Sequence, residues 1–462
     1  MSDVIRAALS HISQLLLKYS DVVAATAFDS LSESMYSRVS GITGPAFHLQ
    51  AAAERIAAQA SWTSFMESKD AGNDGASSIQ DLIRLFPDLN KDLRLGLAHW
   101  LSFINQMFLR LRTSGLSEFG KVSHITVGVG DWHDRRGAAC KLEYDSGAIR
   151  YYKPRSMFVD CAVRKFCEYL VRLKVISYNP CAKVSAFADF GFSELIEAKS
   201  FECVMSVERY YFRLGEFIAL AAYLGADDLH CENIIAFQDG PVCVDWETLG
   251  GSECNPQMPI DNYLSRSGLF SAGSLIKTVG GLEFDHVGNS INVPELRGQP
   301  MTFNKFLSFV FAGLASTCEK IMSLHRNDPM AVRRLISLIN SHESRMVLRP
   351  TTYYHILLYR FSELKYESCS KFAAMHIAEM LRSTANSHIT IAAVNFEVED
   401  IAKGAVPSFY STTSGLKSSR GKVVYSKLQK QWRPLIFTKS TASILEKDFI
   451  RLANPTGYFG LL

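Results

Sequence analysis

The segment Gly225-Ala226-Asp227-Asp228-Leu229-His230-Cys231-Glu232-Asn233 is followed closely by Val242-Cys243-Val244-Asp245-Trp246-Glu247. Asp228 and Asn233 stand in the spacing D-x-x-x-x-N, and Asp245 closes a short apolar run that reads as a strand. Phosphoryl transfer asks little covalent chemistry of a protein; it asks for positioning and neutralisation of charge. An amide oxygen and a carboxylate, Asn233 and Asp245, are hard ligands of the kind that hold Mg2+ against the phosphates of ATP. A further carboxylate, Asp228, would orient the attacking hydroxyl or take its proton. Taken singly, Asp228 and Asp245 read as ordinary turn carboxylates. Taken together, with apolar strands between them, they read as a site.

These residues need elements to place them. A strongly amphipathic helix is predicted from about Val207 to Leu224, with Leu214, Phe217, Ile218, Ala221 and Leu224 on one face. It feeds the Asp228 loop, and two short strands follow, Asn233–Phe237 and Pro241–Trp246. Protein kinases carry the same order of catalytic Asp, metal-binding Asn and a downstream metal-binding Asp on a hairpin. They also need a phosphate-binding lysine on an upstream strand. Lys153, in Tyr151-Tyr152-Lys153-Pro154-Arg155-Ser156, ends a predicted strand.

Upstream, residues 1–120 read as helical, with Ile79 to Leu111 interrupted at Phe86-Pro87-Asp88-Leu89 and a polar loop over Lys69–Ser78. Segments 122–129 and 138–153 alternate as strands, with Asp145-Ser146-Gly147 as a hairpin turn. A helix is predicted over Val159–Leu173 and strand-like pieces over Lys183–Ser200. From Asp261 onward the chain reads as mainly helical. The expected class is α+β, a two-lobe kinase-like body with added N-terminal and C-terminal helices. Its parts are a helical subdomain (1–120), a β-rich N-lobe (121–205) and a C-lobe (206–462) carrying the catalytic loop, the metal site and a helical elimination segment.

The 462 residues, 47% of them hydrophobic, suffice for a large core, and the formal net charge of +3 gives no sign of a nucleic-acid groove or polybasic anchor. No apolar run of about 18 residues marks a membrane span. The ten cysteines show no zinc spacing and read as reduced thiols. A cytoplasmic protein acting without nucleic acid or membrane is the expectation.

The motifs, taken in order, resemble the dehydratase domain of class II lanthionine synthetases, the LanM enzymes. They are Gly130-Asp131-Trp132-His133, Tyr152 to Ser156, Asp228-Leu229-His230-Cys231-Glu232-Asn233, Asp245-Trp246-Glu247, the Arg345-to-Tyr353 run with Arg349-Pro350-Thr351, and Gly404-Ala405-Val406-Pro407. The resemblance runs from about Ile79 to Ser414. It implies a lipid-kinase-like fold and a two-step reaction on a precursor peptide with a leader segment. Ser or Thr is phosphorylated with ATP, and phosphate is then eliminated to leave dehydroalanine or dehydrobutyrine. By motif position, Lys153 would hold ATP phosphates and Asp228 would activate the hydroxyl. Asn233 and Asp245 would bind magnesium, supported by His230 and Glu247. Asp131 and His133 would approach the phosphates, and Arg345 and Thr351 would serve elimination. An arginine gripping phosphate through two hydrogen bonds suits that leaving group. The motifs do not assign the base for the Cα proton.

Three departures stand out. Arg136 and Gly137 appear in swapped order relative to the family's H-N-x-G-R, and Ala405 replaces an aspartate. The chain ends at Leu462, without the zinc cyclase half. A stand-alone dehydratase without cyclase activity is therefore expected, similar to those of proteusin-type pathways, working beside other tailoring enzymes. A peptide kinase that has lost elimination and a non-catalytic, leader-binding pseudokinase module are the competing readings.

Overall fold

The computed structural model describes residues 42–43, 99, 102–127, 129–133, 137–230, 232–238, 240–249, 263–270, 293–384, 390–412, 415–425 and 434–453. The helices expected before residue 99, the Lys69–Ser78 loop and the Arg136 swap lie outside them. One exception is Ile42–Thr43, expected to be helical and found as a two-residue strand.

Single helical turns aside, the first elements are β1 (Ile42–Thr43), α1 (102–113), β2 (Val122–Val127), β3 (Cys140–Tyr144), β4 (Ile149–Lys153) and α2 (Phe158–Arg172). Then come β5 (Val184–Ala186), β6 (Gly191–Glu194), α3 (Val204–Leu224), β7 (Ile234–Phe237), β8 (Gly240–Cys243), β9 (Glu295–Leu296) and β10 (Gln299–Pro300). The remainder is α4 (Leu307–Asn327), α5 (Pro329–Asn340), β11 (Ser344–Met346), α6 (Thr351–Glu367), α7 (Ser370–Ser383), α8 (Ile391–Ala402), β12 (Phe409–Thr412), β13 (Gly415–Ser418), β14 (Val423–Tyr425) and α9 (Thr441–Ala453). Helices and mainly antiparallel strands thus mix as expected of the α+β class. They form two compact units. The first takes Met1–Arg155, Arg349–Pro407 and Ser418–Lys422, and the second takes Ser156–Leu348, Ser408–Lys417 and Val423–Leu462.

In the first unit β1 runs parallel to β2, and β2, β3 and β4 pair antiparallel, with Ile125 opposite Leu142 and Cys140 opposite Tyr152. Along β3 the buried residues are Cys140, Leu142 and Tyr144, the period of two of a half-buried strand. The expected turn closes β3–β4, with Gly147 at φ +82°. Helices α6, α7 and α8 share a core of Leu357, Phe361, Ile377, Leu381, Val394 and Ile401. At its edge the buried Arg349 donates to Glu397 at 2.7 Å, and the Tyr354 hydroxyl donates to the same carboxylate at 2.7 Å. A charge removed from water needs such partners.

In the second unit α3 is buried on all sides from Leu214 to Leu224, a stretch in which Glu216 is the single charged residue. It crosses α4 at two glycines. A Cβ on Gly215 would lie 2.0 Å from the Val310 carbonyl oxygen, and one on Gly313 would lie 1.9 Å from that of Phe212. Only glycine permits this approach. The stretch Phe303–Asn327, long and apolar enough to suit a membrane span, packs here against α3. Where the sequence reads as mainly helical, the chain also makes a four-stranded sheet ordered β11-β12-β13-β14. Its strands hold only three or four residues, too few for alternation to show before folding.

Candidate active site

Gly225, at φ +58°, ends α3 in the left-handed turn that commonly stops a helix. The loop that follows is pinned from two sides. Asp227 N–H donates to Thr248 O at 3.1 Å, the Thr248 hydroxyl returns a bond to Asp227 O at 2.9 Å, and Leu229 N–H donates to Ser267 O at 2.7 Å. Leu229 is buried. Between these anchors Asp228 is forced to φ +61°, a conformation rare for residues with a side chain but tolerated by Asp and Asn. Strain of this kind collects at functional sites. The hairpin β7–β8 then leads to Asp245, two residues past the strand end, with Val244 N–H donating to Asn233 O at 3.0 Å.

Asn233 braces the loop: its Nδ2 donates to Asp228 O at 2.8 Å and lies 3.1 Å from His230 Nε2. Two residues apart, Asp245 and Glu247 flank Trp246, which turns into the core against Phe217 while its backbone N–H donates to the buried Asp160 at 3.1 Å. Strand β11 brings in Arg345. Its backbone N–H donates to Glu247 O at 2.9 Å, its guanidinium donates to Glu247 Oε1 at 2.8 Å, and Asp228 Oδ2 stands 3.6 Å away. Asp228, Asn233, His230, Asp245, Glu247 and Arg345 are thus gathered in the second unit.

Charge in this site is balanced by proximity. Burial pushes the Asp228 carboxyl above its usual range; Arg345 and His230 pull it down, and Glu247 and Asp245 push it up. Its side chain keeps 28% of its surface open, so water tempers that push. For Arg345 burial works against the charge, but Glu247 and Asp228 outweigh it and hold the proton more tightly than usual.

Among the described residues no three His, Cys, Asp or Glu side chains come together as a metal-holding group. The oxygen donors fit magnesium on other grounds. Asn233 Nδ2 donates to Asp228 O, so Oδ1 is the amide atom that could meet a cation, and Asp245 follows two residues past the end of the adjoining strand. Magnesium takes few protein ligands and keeps waters and phosphate oxygens.

The family model for a domain of unknown function, DUF4135, matches residues 86–275 and 282–412, well over half of the chain. The chain belongs to the DUF4135 family. Over 218 residues it is also 22% identical to the lacticin 481/lactococcin biosynthesis protein LcnDR2 of Lactococcus lactis subsp. lactis, a match covering 44% of this chain and 23% of that protein. The chain therefore spans under a quarter of the length of that relative.

The other expected residues of this DUF4135 member lie in the first unit. Lys153 ends β4, and Thr351 opens α6. Asp131 and His133 sit after β2, where Val406 N–H donates to Trp132 O at 2.9 Å and His133 Nδ1 lies 2.8 Å from Val406 O. The Gly130-to-His133 and Gly404-to-Pro407 motifs are therefore one structure. Gly137, at φ +83°, pairs with His133, and a Cβ there would meet the Phe103 ring at 2.1 Å, so a glycine is required at this position. Ala405 is buried. His355, absent from the motif reading, stands 3.1 Å from Asp131. Its signal was available: it lies one helical turn beyond Thr351.

Proposed function

We propose that this chain uses ATP to dehydrate Ser or Thr in a ribosomally made precursor peptide. The hydroxyl is phosphorylated first and phosphate is then eliminated, as a step of lanthipeptide maturation. The observation that carries this reading is the pinned loop, in which a strained Asp228 is braced by Asn233 and faces Arg345 beside the Asp245-Trp246-Glu247 strand end. Asp228 orients the attacking hydroxyl and accepts its proton. Asn233 and Asp245 hold magnesium, which neutralises phosphate charge when bound, with His230 and Glu247 in support. Lys153 takes nucleotide phosphates, Asp131 and His133 serve the phosphate-handling segment, and Arg345 and Thr351 serve elimination. Similarity to a lacticin 481/lactococcin biosynthesis protein supports the peptide substrate. A two-lobe, kinase-like body, a leader-bearing peptide, partner tailoring enzymes and a cytoplasmic setting belong to the same proposal.

A second reading has its own support. The Arg345 guanidinium is engaged with Glu247 and Asp228, not held out for a leaving phosphate. That favours a peptide kinase without elimination. Incubation with ATP, magnesium and precursor peptide separates the two by mass. Loss of water supports dehydration, a stable phosphopeptide supports the kinase, and an unchanged cognate peptide overturns both.

A further inference from the structure

We propose that His355 is the base that removes the Cα proton in the elimination step, oriented by Asp131; the inference rests on the dehydration reading above. The two side chains meet within the first unit, His355 Nε2 lying 3.1 Å from Asp131 Oδ1. A carboxylate at that distance from Nε2 places the ring proton there and makes Nδ1 the basic nitrogen. It also stabilises the imidazolium that forms when Nδ1 takes a proton, the part a carboxylate plays toward histidine in acyl-transfer triads.

The setting points to chemistry and not to a surface ion pair. The segment bearing Asp131 is held at the two residues that follow it. Val406 N–H donates to Trp132 O, His133 and Gly137 bond each other's backbone at 3.1 and 2.9 Å, and the Trp132 ring packs edge-on against Phe103 at 5.3 Å. His355 stands on the first turns of α6, four residues beyond Thr351, so both lie on one helix face. The pair therefore links the Asp131 segment to the helix start that carries Thr351. Side-chain exposures of 55% for His355 and 32% for Asp131 leave the pair reachable by a peptide. Imidazole is the side chain best matched to proton removal near neutral pH.

The step balances without a further reactant. His355 Nδ1 takes the Cα proton of the phosphorylated residue. The electron pair of that C–H bond becomes the Cα–Cβ double bond. The Cβ–O bond breaks, its electrons pass to the phosphate oxygen, and inorganic phosphate departs.

The test uses the full chain and a synthetic peptide bearing one phosphoserine, with release of inorganic phosphate and formation of dehydroalanine as readouts. His355→Ala is expected to slow phosphate release by about 100-fold or more, and imidazole added to the buffer is expected to restore part of the rate. On the unphosphorylated peptide with ATP and magnesium, the same variant shifts the product from dehydrated to phosphorylated peptide. His355→Gln, which keeps the polarity of an exposed position, should behave as His355→Ala does, without rescue by its own amide. If wild type releases phosphate and His355→Ala releases it as fast, the inference fails alone. A loss that imidazole does not rescue makes His355 a structural residue and also overturns it. If wild type releases no phosphate, the elimination half of the proposed function fails and takes this inference with it.

Discussion

Arg345 and Glu247 are joined twice, once through backbone N–H to carbonyl at 2.9 Å and once through guanidinium to carboxylate at 2.8 Å. The double link fixes the arginine's direction, and that direction brings it to 3.6 Å from Asp228. An arginine expected from motif position to serve elimination therefore sits beside the carboxylate assigned to phosphorylation. One cation shared by two carboxylates ties their geometry together.

Arg345→Ala should cost stability as well as activity. It leaves Glu247 and Asp228 without the charge that offsets them. Breaking a buried pair costs about 3–5 kcal/mol, and the remaining exposure of 12% and 11% on Arg345 and Glu247 places the loss at the lower end of that range. Urea denaturation measures it. Elimination should fall and phosphopeptide should accumulate; wild-type dehydration with normal stability would remove Arg345 from the site.

Asp228→Asn should fold like wild type, because Asn tolerates the left-handed conformation at φ +61°, yet lose phosphoryl transfer. Asp228→Val should also lose stability, by about 1–3 kcal/mol, since a β-branched residue resists that backbone. Equal thermal midpoints for the two variants would contradict the strain argument.

At the α3–α4 crossing, Gly215→Ala places a methyl 2.0 Å from a backbone oxygen that cannot swing aside. A loss of about 3 kcal/mol or more is expected. Gly130→Ala is the control: its Cβ meets nothing nearer than Ala139 at 3.6 Å, so stability should change little. Thermal unfolding of the pair decides.

Glu216 should give stability a downward slope with pH. It is 1% exposed and accepts bonds from Ser177 N–H at 3.0 Å and the Ser177 hydroxyl at 2.7 Å. Burial raises its pKa, and Ser177, Arg213 and Lys320 pull it back only in part. The folded state thus holds this proton more readily than the unfolded chain, whose value is about 4.3. The group's contribution is most favourable below the unfolded value and is lost as pH rises through the raised folded one. Glu216→Gln should gain on wild type as pH climbs from about 4 to about 7. A constant difference between the two across that range would refute the linkage.

Much of the site unit was legible because its signals are local. The apolar length of α3, the glycine that stops it and the D-x-x-x-x-N spacing each depend on a few consecutive residues. The strands fell close to expectation, β7 and β8 spanning Ile234–Phe237 and Gly240–Cys243. What stayed hidden depends on residues far apart in sequence. Nothing near Arg345 announces that its partner is Glu247, and the place of His355 one turn beyond Thr351 marks the residue but not its pairing with Asp131. Strands β11 to β14 escaped because their identity comes from pairing, not from their own pattern. That Gly137 must be glycine also depends on the fold, through the Phe103 ring and a positive φ.

The second unit draws on helix α9, whose Leu445 and Phe449 are fully buried in the same core as α3 and whose Asp448 carboxylate accepts from Leu264 N–H at 3.1 Å. A ribosome adding about 5–20 residues per second therefore needs on the order of tens of seconds between releasing Ser156 and releasing α9. Until α9 emerges, α3, with its long apolar stretch, has no finished core to enter. The nascent chain carries Asp228 and Asn233 long before it can hold them still, so a chaperone that shelters α3 would govern the yield of active protein.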